Sequence, residues 1–277
     1  MSRPTSPIPT FVVSLARAPE RRRQITEHLS AMGIAYRLID AVDGKTLPAD
    51  QVARIVAPGI DIHPGAIGCY LSHLVIYEQM IAEGIPLALV LEDDARLSPQ
   101  CPAFLKSVNH AEGFDYCFLD SDDHNDRGPI YYDRHDAVAM APGVQAHRLS
   151  AGPQTTHAYM ITLAGAQKRL SHAYPIQKSI DLYDHLPYPI VFRAVVSPKM
   201  AWVSEQSLVS FTSSKSVAPE SLRFGALRRF PLFYTLRDML KLKALRRSMA
   251  IRQLVADGAL AADRQWVPLP SGREVLR

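Results

Sequence analysis

The sequence predicts an α/β protein: a mixed, mostly parallel sheet flanked by helices, followed by a basic, mostly helical extension. Three observations carry this. Short apolar or β-branched runs alternate with stretches of helical period as far as residue 205. One of those runs, Leu87 to Leu91, is apolar at every position, the pattern of a strand buried on both faces. Between Leu222 and Arg252, nine basic residues stand against a single acid, Asp238, a local charge of +8 in a chain whose total is +4. The expected division is therefore a domain over residues 8–212 and an extension over 213–277.

The elements follow in order. Pro9 to Leu15 reads as a buried strand, being short, β-branched and aromatic. Ala18 to Met32 reads as a helix, with Pro19 at its first position, Ile25, Leu29 and Met32 on one face, and Gly33 closing it. Ala35 to Val42 is a second strand ending in the turn pair Asp43-Gly44, so the first 45 residues form a βαβ unit. Leu47 to Val56 and Gly65 to Ala82 are helices. On the second, Ile67, Leu71, Leu74, Met80 and Ile81 make an apolar stripe, with Cys69, Ser72 and His73 on a neighbouring face and Gly84 as the stop. After the strand at Leu87 come a helix over Cys101 to Val108, a strand over Tyr116 to Leu119, a strand over Ala158 to Thr162 and a helix over Ala164 to His172. Asp181 to Leu186 reads as one helical turn, and Pro189 to Val196 and Met200 to Val203 as strands.

Composition bounds the function. With 47% hydrophobic and 21% charged residues the chain is globular rather than disordered, and it has no repeat period. No apolar run approaches the roughly 20 residues that cross a bilayer. The N-terminal residues are polar and Pro-rich without a signal pattern, and three cysteines without a CxxC pair suit a reducing compartment, so a cytoplasmic protein is expected. Nucleotide-binding glycine loops of the GxGxxG and GxxxxGK[ST] types are absent, as are HExxH and GxSxG.

The chemistry concentrates where the apolar strand runs into Glu92-Asp93-Asp94. Ligands of open α/β sheets bind at the carboxyl ends of strands, and three adjacent carboxylates there call for a neutralising cation. Strand alternation would aim Glu92 and Asp94 at one ion, Mn²⁺ or Mg²⁺, and Asp93 elsewhere; the same acids could instead cap a helix or face solvent. Arg17 and Arg21, just past the first strand at a helix start, suit phosphate, although Arg21-Arg22-Arg23 could equally be a solvated face. Asp40 and Asp43 end the second strand, where an acid reads a ribose or a base edge, or only shapes a turn. Asp181 or Asp184 could be a general base, with His185 or Asp184 as a further metal ligand. The second acidic run, Asp120, Asp122, Asp123 and Asp126 with His124, is read as a solvated or substrate-lining loop, and His157 and Tyr159 as core or hydrogen-bonded residues.

Six stretches carry a family resemblance: FVVSLARAPERR (Phe11 to Arg22), DAVDG (Asp40 to Gly44), GAIGCYLSH (Gly65 to His73), LVLEDDA (Leu89 to Ala95), THAYMIT (Thr156 to Thr162) and, more loosely, SIDLYDHL (Ser179 to Leu186). In order and spacing they resemble glycosyltransferase family 25, over about residues 10 to 210. The resemblance implies a GT-A-like fold, a nucleotide-sugar donor such as a UDP-hexose, Mn²⁺ or Mg²⁺, and inverting transfer of galactose or glucose to a lipopolysaccharide or lipooligosaccharide saccharide. It implies metal ligation by Glu92 and Asp94, donor contacts from Arg17, Arg21, Asp43, Ser72, His73 and Asp93, and a base at Asp181. Ser179 stands where the family has Pro, which keeps Asp184 as the rival base.

Two other classes fit the acids alone: a two-carboxylate glycoside hydrolase, or a non-catalytic carbohydrate-binding protein with a degenerate site. The basic segment 222–252 fits an anionic membrane surface, at about 1 kcal/mol per Lys or Arg near the surface, or a phosphorylated glycolipid acceptor, or a solvated helix. Nucleic acid is not an expected partner, since no recognised module is present.

Overall fold

The computed structural model describes residues 8–108, 112–120, 130–183, 186, 189–204 and 265–269. Its centre is a nine-stranded sheet. The strands are β1 (Thr10–Ser14), β2 (Arg37–Asp40), β3 (Leu87–Glu92), β5 (Tyr116–Phe118), β6 (Tyr131–Ala141), β7 (Val144–Leu149), β8 (Ala158–Thr162), β9 (Phe192–Val195) and β11 (Trp266–Pro268), in the spatial order β11-β6-β7-β9-β5-β8-β3-β1-β2. β4 (Ala95–Leu97) and β10 (Ala201–Val203) form a separate antiparallel pair. The pairings make β1, β2, β3, β5, β6 and β9 point one way and β7, β8 and β11 the other, so most strands share a direction, as the sequence predicts.

The helices are α1 (Pro19–Ala31), α2 (Ala49–Ile55), α3 (Pro64–Glu83), α4 (Cys101–Ser107) and α5 (Leu163–Ser171). Alternation of side chains along each strand builds two cores. On one face Phe11, Val13, Ala88 and Val90 pack with α3 residues Ile67, Leu74 and Met80 and with Ala166 of α5. On the other, Val12, Leu87, Leu89 and Leu91 pack with Ile25 and Leu29 of α1 and Phe104 of α4. The apolar run at Leu87 is thus buried on both faces, between β1 and β8. Its burial is the main local drive for the strand, at about 25 cal/mol per Å² of apolar surface.

Three elements depart from the sequence reading. The hairpin β6–β7, turned by Pro142-Gly143 with Gly143 at φ 73°, was not expected. Asp181 belongs to a hydrogen-bonded turn, Leu182 N–H to Ser179 carbonyl at 3.1 Å, and not to a helix. β11 falls within the stretch expected as a separate extension, yet pairs with β6 at the edge of the main sheet. The basic segment 222–252 lies outside the described residues, and no described helix is long and apolar enough to cross a membrane.

Candidate active site

β1, β2 and β3 are adjacent and parallel, so their carboxyl ends open on one side. A cleft there is lined by Ser14, Arg17, Arg21, Asp43, Cys69, Ser72, Glu92 and Asp93, among others. Its floor between β2 and α3 is unusually close. A Cβ on Gly44 would lie 1.7 Å from the Pro64 carbonyl oxygen, and one on Gly68 would lie 2.3 Å from the Val42 oxygen. Only residues without a Cβ allow the 42–44 loop to rest on the first turns of α3.

Arg17 and the three consecutive arginines, Arg21 to Arg23, have four different fates. Arg17 Nε donates to Asp43 Oδ2 at 2.5 Å, an ion pair across the cleft mouth. Asp43 also caps the short helical turn after it by accepting from Lys45 N–H at 3.1 Å, so it is both turn-former and cleft residue. Arg21 reaches Asp93 Oδ1 at 2.5 Å and Asp94 Oδ2 at 3.0 Å. Arg22 donates to the Ser14 carbonyl and to Asp40, tying β1 to β2. Arg23 alone is the solvated face, paired along α1 with Glu20 and Glu27.

The acidic triplet is arranged differently from the alternation expected. β3 ends at Glu92 and residues 93–94 form a turn, so strand geometry no longer sets their directions. Asp93 does not point away from the cleft: it lines it, accepts from Ser14 Oγ at 2.8 Å, and shares Arg21 with Asp94. Burial raises the Asp93 carboxyl above its ordinary range, Arg21 and Ser14 oppose this, and the Asp94 and Glu92 charges add to it. Burial is thus the first cause of its shift, ahead of the neighbouring carboxylates.

Glu92 sits at the cleft's inner end. Its Oε1 accepts from Thr156 Oγ1, lies 3.9 Å from Cys69 Sγ and 3.5 Å from His73 Nε2. Burial works to raise its pKa, but His73, Thr156 and the His157 charge outweigh that and hold it below the ordinary carboxylate range. His73 is fully buried, and its Nδ1 meets the Tyr159 hydroxyl at 2.6 Å. It lies outside the cleft lining and faces Glu92 from behind. Ser72 reaches the cleft wall, but its Oγ is committed, accepting from Val42 N–H and donating to the Gly68 carbonyl. Ser72 thus lines the cleft with its hydroxyl tied to the loop and to α3, while His73 lies behind the cleft wall.

The sequence reading of Asp120 as a solvated or substrate-lining loop residue also changes. Asp120 is buried at the end of β5, with Oδ2 3.0 Å from His157 Nε2 and Oδ1 3.1 Å from Lys199 Nζ. Asp122, Asp123, Asp126 and His124 lie outside the described residues. His157 and Tyr159 are buried and hydrogen-bonded, as expected, but His157 belongs to the site: its carbonyl accepts from Glu92 N–H at 2.9 Å. Burial disfavours the imidazolium, yet Asp120, then the charges of Asp94 and Glu92, raise its pKa above 6.5. A raised folded-state value stabilises the fold fully below the unfolded value and ceases to do so as pH rises through the folded one. Asp120→Asn is therefore expected to cost about 2 kcal/mol at acidic pH, with the gap to wild type narrowing as pH rises to the part owed to the Lys199 pair, which persists at neutral and mildly alkaline pH. Urea midpoints of both proteins between about pH 5 and about pH 9 check this.

Asp181 lies near this group: burial first, then the Glu92 and Asp181 charges, hold the Cys69 thiol well above its ordinary pKa. Asp184 and His185 lie outside the described residues. Thr156, His157 and Asp120 are the site residues that sequence reasoning did not assign. The signal for the first two was their place just before β8, beside β3.

Parallel strand ends bearing arginine–carboxylate pairs around one cleft, in a mixed sheet flanked by helices, make up a GT-A-like fold. The chain belongs to glycosyltransferase family 25, whose family model, described as an LPS biosynthesis protein, matches residues 7–183. A probable inactive glycosyltransferase 25 family member 3 of Rattus norvegicus is 30% identical over 195 residues, 64% of this chain and 32% of that protein. Procollagen galactosyltransferase 1 of Danio rerio is 30% identical over 194 residues, 64% of this chain and 30% of it. The lacto-N-neotetraose biosynthesis glycosyltransferase LgtB of Neisseria gonorrhoeae is 37% identical over 101 residues, 34% of this chain and 35% of it. The chain thus matches about a third of the length of these relatives.

Proposed function

We propose that the chain is a hexosyltransferase that moves galactose or glucose from a UDP-hexose to a saccharide acceptor in lipopolysaccharide or lipooligosaccharide synthesis, with inversion. The observation that supports it most is the cleft at the ends of β1, β2 and β3, which gathers Arg17, Arg21, Asp43, Glu92 and Asp93. Arg17 and Arg21 can orient a diphosphate, and Asp43 the nucleoside side. Asp181 takes the proton of the acceptor hydroxyl; Asp184 is the alternative base.

The donor set suits Mn²⁺ or Mg²⁺: such ions need only one or two carboxylates beside substrate phosphates and water, and Glu92, in the cleft lining, with Asp94 two residues on offers them. A bound ion would stabilise the charge of the departing nucleoside diphosphate. A second reading, a binding protein without activity, draws on relatives named inactive. Nucleotide release from a panel of sugar donors, with and without metal, separates the two. Turnover with a UDP-hexose that needs Mn²⁺ or Mg²⁺ supports the transferase, and no turnover with any donor removes it. The segment 222–252 is proposed to hold the enzyme on the anionic cytoplasmic face of a membrane, by its charge of +8. Co-sedimentation with anionic but not neutral vesicles, lost at high salt, is the expected result.

A further inference from the structure

We propose that Cys69, His73 and Glu92 form a coordination site for a thiophilic divalent cation of the zinc class. The inference shares Glu92 with the transferase reading, which uses neither Cys69 nor His73 as a metal ligand.

Three observations carry it. The first is proximity: a sulfur, an imidazole nitrogen and a carboxylate oxygen from these residues all lie within 4.8 Å of one another. Cys69 and His73 are one helical turn apart on α3, so the helix itself sets their spacing. The second is shape. Zinc bonds of about 2.3 Å to sulfur and about 2.0 to 2.1 Å to nitrogen and oxygen, at tetrahedral angles, place S···O at about 3.6 Å and N···O at about 3.4 Å. Cys69 Sγ stands 3.9 Å, and His73 Nε2 3.5 Å, from the same Glu92 oxygen. The ligands need only small movements to close on an ion.

The third is the state of His73. The residue is fully buried, and its Nε2 has no hydrogen-bond partner although it faces Glu92. Its other nitrogen meets the Tyr159 hydroxyl at 2.6 Å, which in turn meets Tyr77 at 2.8 Å, and Tyr77 meets Tyr116 at 3.0 Å. In the tautomer whose Nδ1–H donates to the Tyr159 hydroxyl, the bond fixes the ring and leaves the Nε2 lone pair for a metal.

The donor set decides the ion class. A thiolate with an imidazole and one carboxylate favours zinc-like ions over Mg²⁺ or Mn²⁺, which prefer oxygen. Three protein ligands leave one position open, and both Cys69 and Glu92 line the cleft. On binding, the Cys69 S–H bond is replaced by a sulfur–metal bond and the proton leaves to solvent. Because Glu92 serves both ions, a zinc-class cation would draw it away from the donor site.

Cobalt titration of the full chain is the test, since a cobalt–thiolate bond gives an intense near-ultraviolet charge-transfer band. Stoichiometric Co²⁺ should produce the band in the wild type and not in Cys69→Ser. On the unaltered protein, stoichiometric Zn²⁺ should slow alkylation of Cys69 at least about tenfold while Mg²⁺ does not. Cys69 lines the cleft, whereas Cys101 and Cys117 are fully buried away from it and stay inert. Absence of the band, its survival in Cys69→Ser, or unprotected alkylation would each overturn the proposal. Neither readout involves a sugar donor, so its failure and the failure of the transferase reading are separate results.

Discussion

Glu92→Gln is expected to lower kcat/KM for hexosyl transfer by at least about 100-fold, the scale on which single electrostatic stabilisers of a transition state act. The substitution keeps the volume of the side chain and its acceptor oxygen for Thr156 Oγ1, while removing the charge at the inner end of the cleft. It should therefore act on chemistry more than on folding. If Glu92 serves mainly the departing diphosphate, kcat and kcat/KM fall together, because the interaction matures only as that group leaves. Glu20→Gln is a fair comparison: Glu20 is exposed on α1 and its loss touches only Arg23 and Gln24. Nucleotide release kinetics on the two variants, with melting curves alongside, check the expectation. A Glu92→Gln enzyme working at the wild-type rate would end the assignment.

Much of this site was legible because it rests on local rules. A strand apolar at every position must lie inside a sheet, and its carboxyl end must then meet other strand ends. That reasoning reaches Glu92, Asp93, Arg17, Arg21 and Asp43, which do share one cleft. It fails where the rule stops. The alternation argument assumed a strand through Asp94, but β3 ends at Glu92, and Ser14 and Arg21 then set the direction of Asp93. It also fails where contacts are long in sequence. Thr156 and His157 reach Glu92 because β8 inserts antiparallel beside β3, and His157 meets Asp120 from 37 residues away. No local pattern announces such pairings.

The same contrast governs the fold. β1, α1, α3 and β3 show clear periods, since each has a face that must be buried. β6 is mixed, Tyr131 to Ala141 with three charged and several half-buried positions, and its partner β7 alternates only weakly. The Pro142-Gly143 pair is the local hairpin signal, but neither flank has the clean alternation that marks a strand.

Gly44→Ala is expected to be among the most damaging single-methyl additions in the chain, costing about 3 kcal/mol or more. The new Cβ would sit 1.7 Å from the Pro64 carbonyl oxygen, 2.7 Å from its carbon and 2.8 Å from the Gly68 nitrogen, all of them backbone atoms. A side chain could rotate aside; a backbone at the start of α3 cannot move without carrying its first turn along. That turn is anchored from the other side, by Ser72 Oγ accepting from Val42 N–H and by the Gly68 contact with Val42. Relief of the clash therefore means parting the 42–44 loop from α3, and with it moving Asp43 from Arg17. Gly33→Ala separates this effect from ordinary glycine strain. Gly33 has φ 67° but nothing within 4 Å of a new Cβ, so about 1 kcal/mol is expected there. For a domain of this size a kcal/mol shifts Tm by about 2 to 4 °C, so melting curves should show about 6 to 12 °C for Gly44→Ala against a few degrees for Gly33→Ala. Equal shifts would mean that the loop and α3 are not locked together. The cleft's shape would then owe nothing to the two glycines.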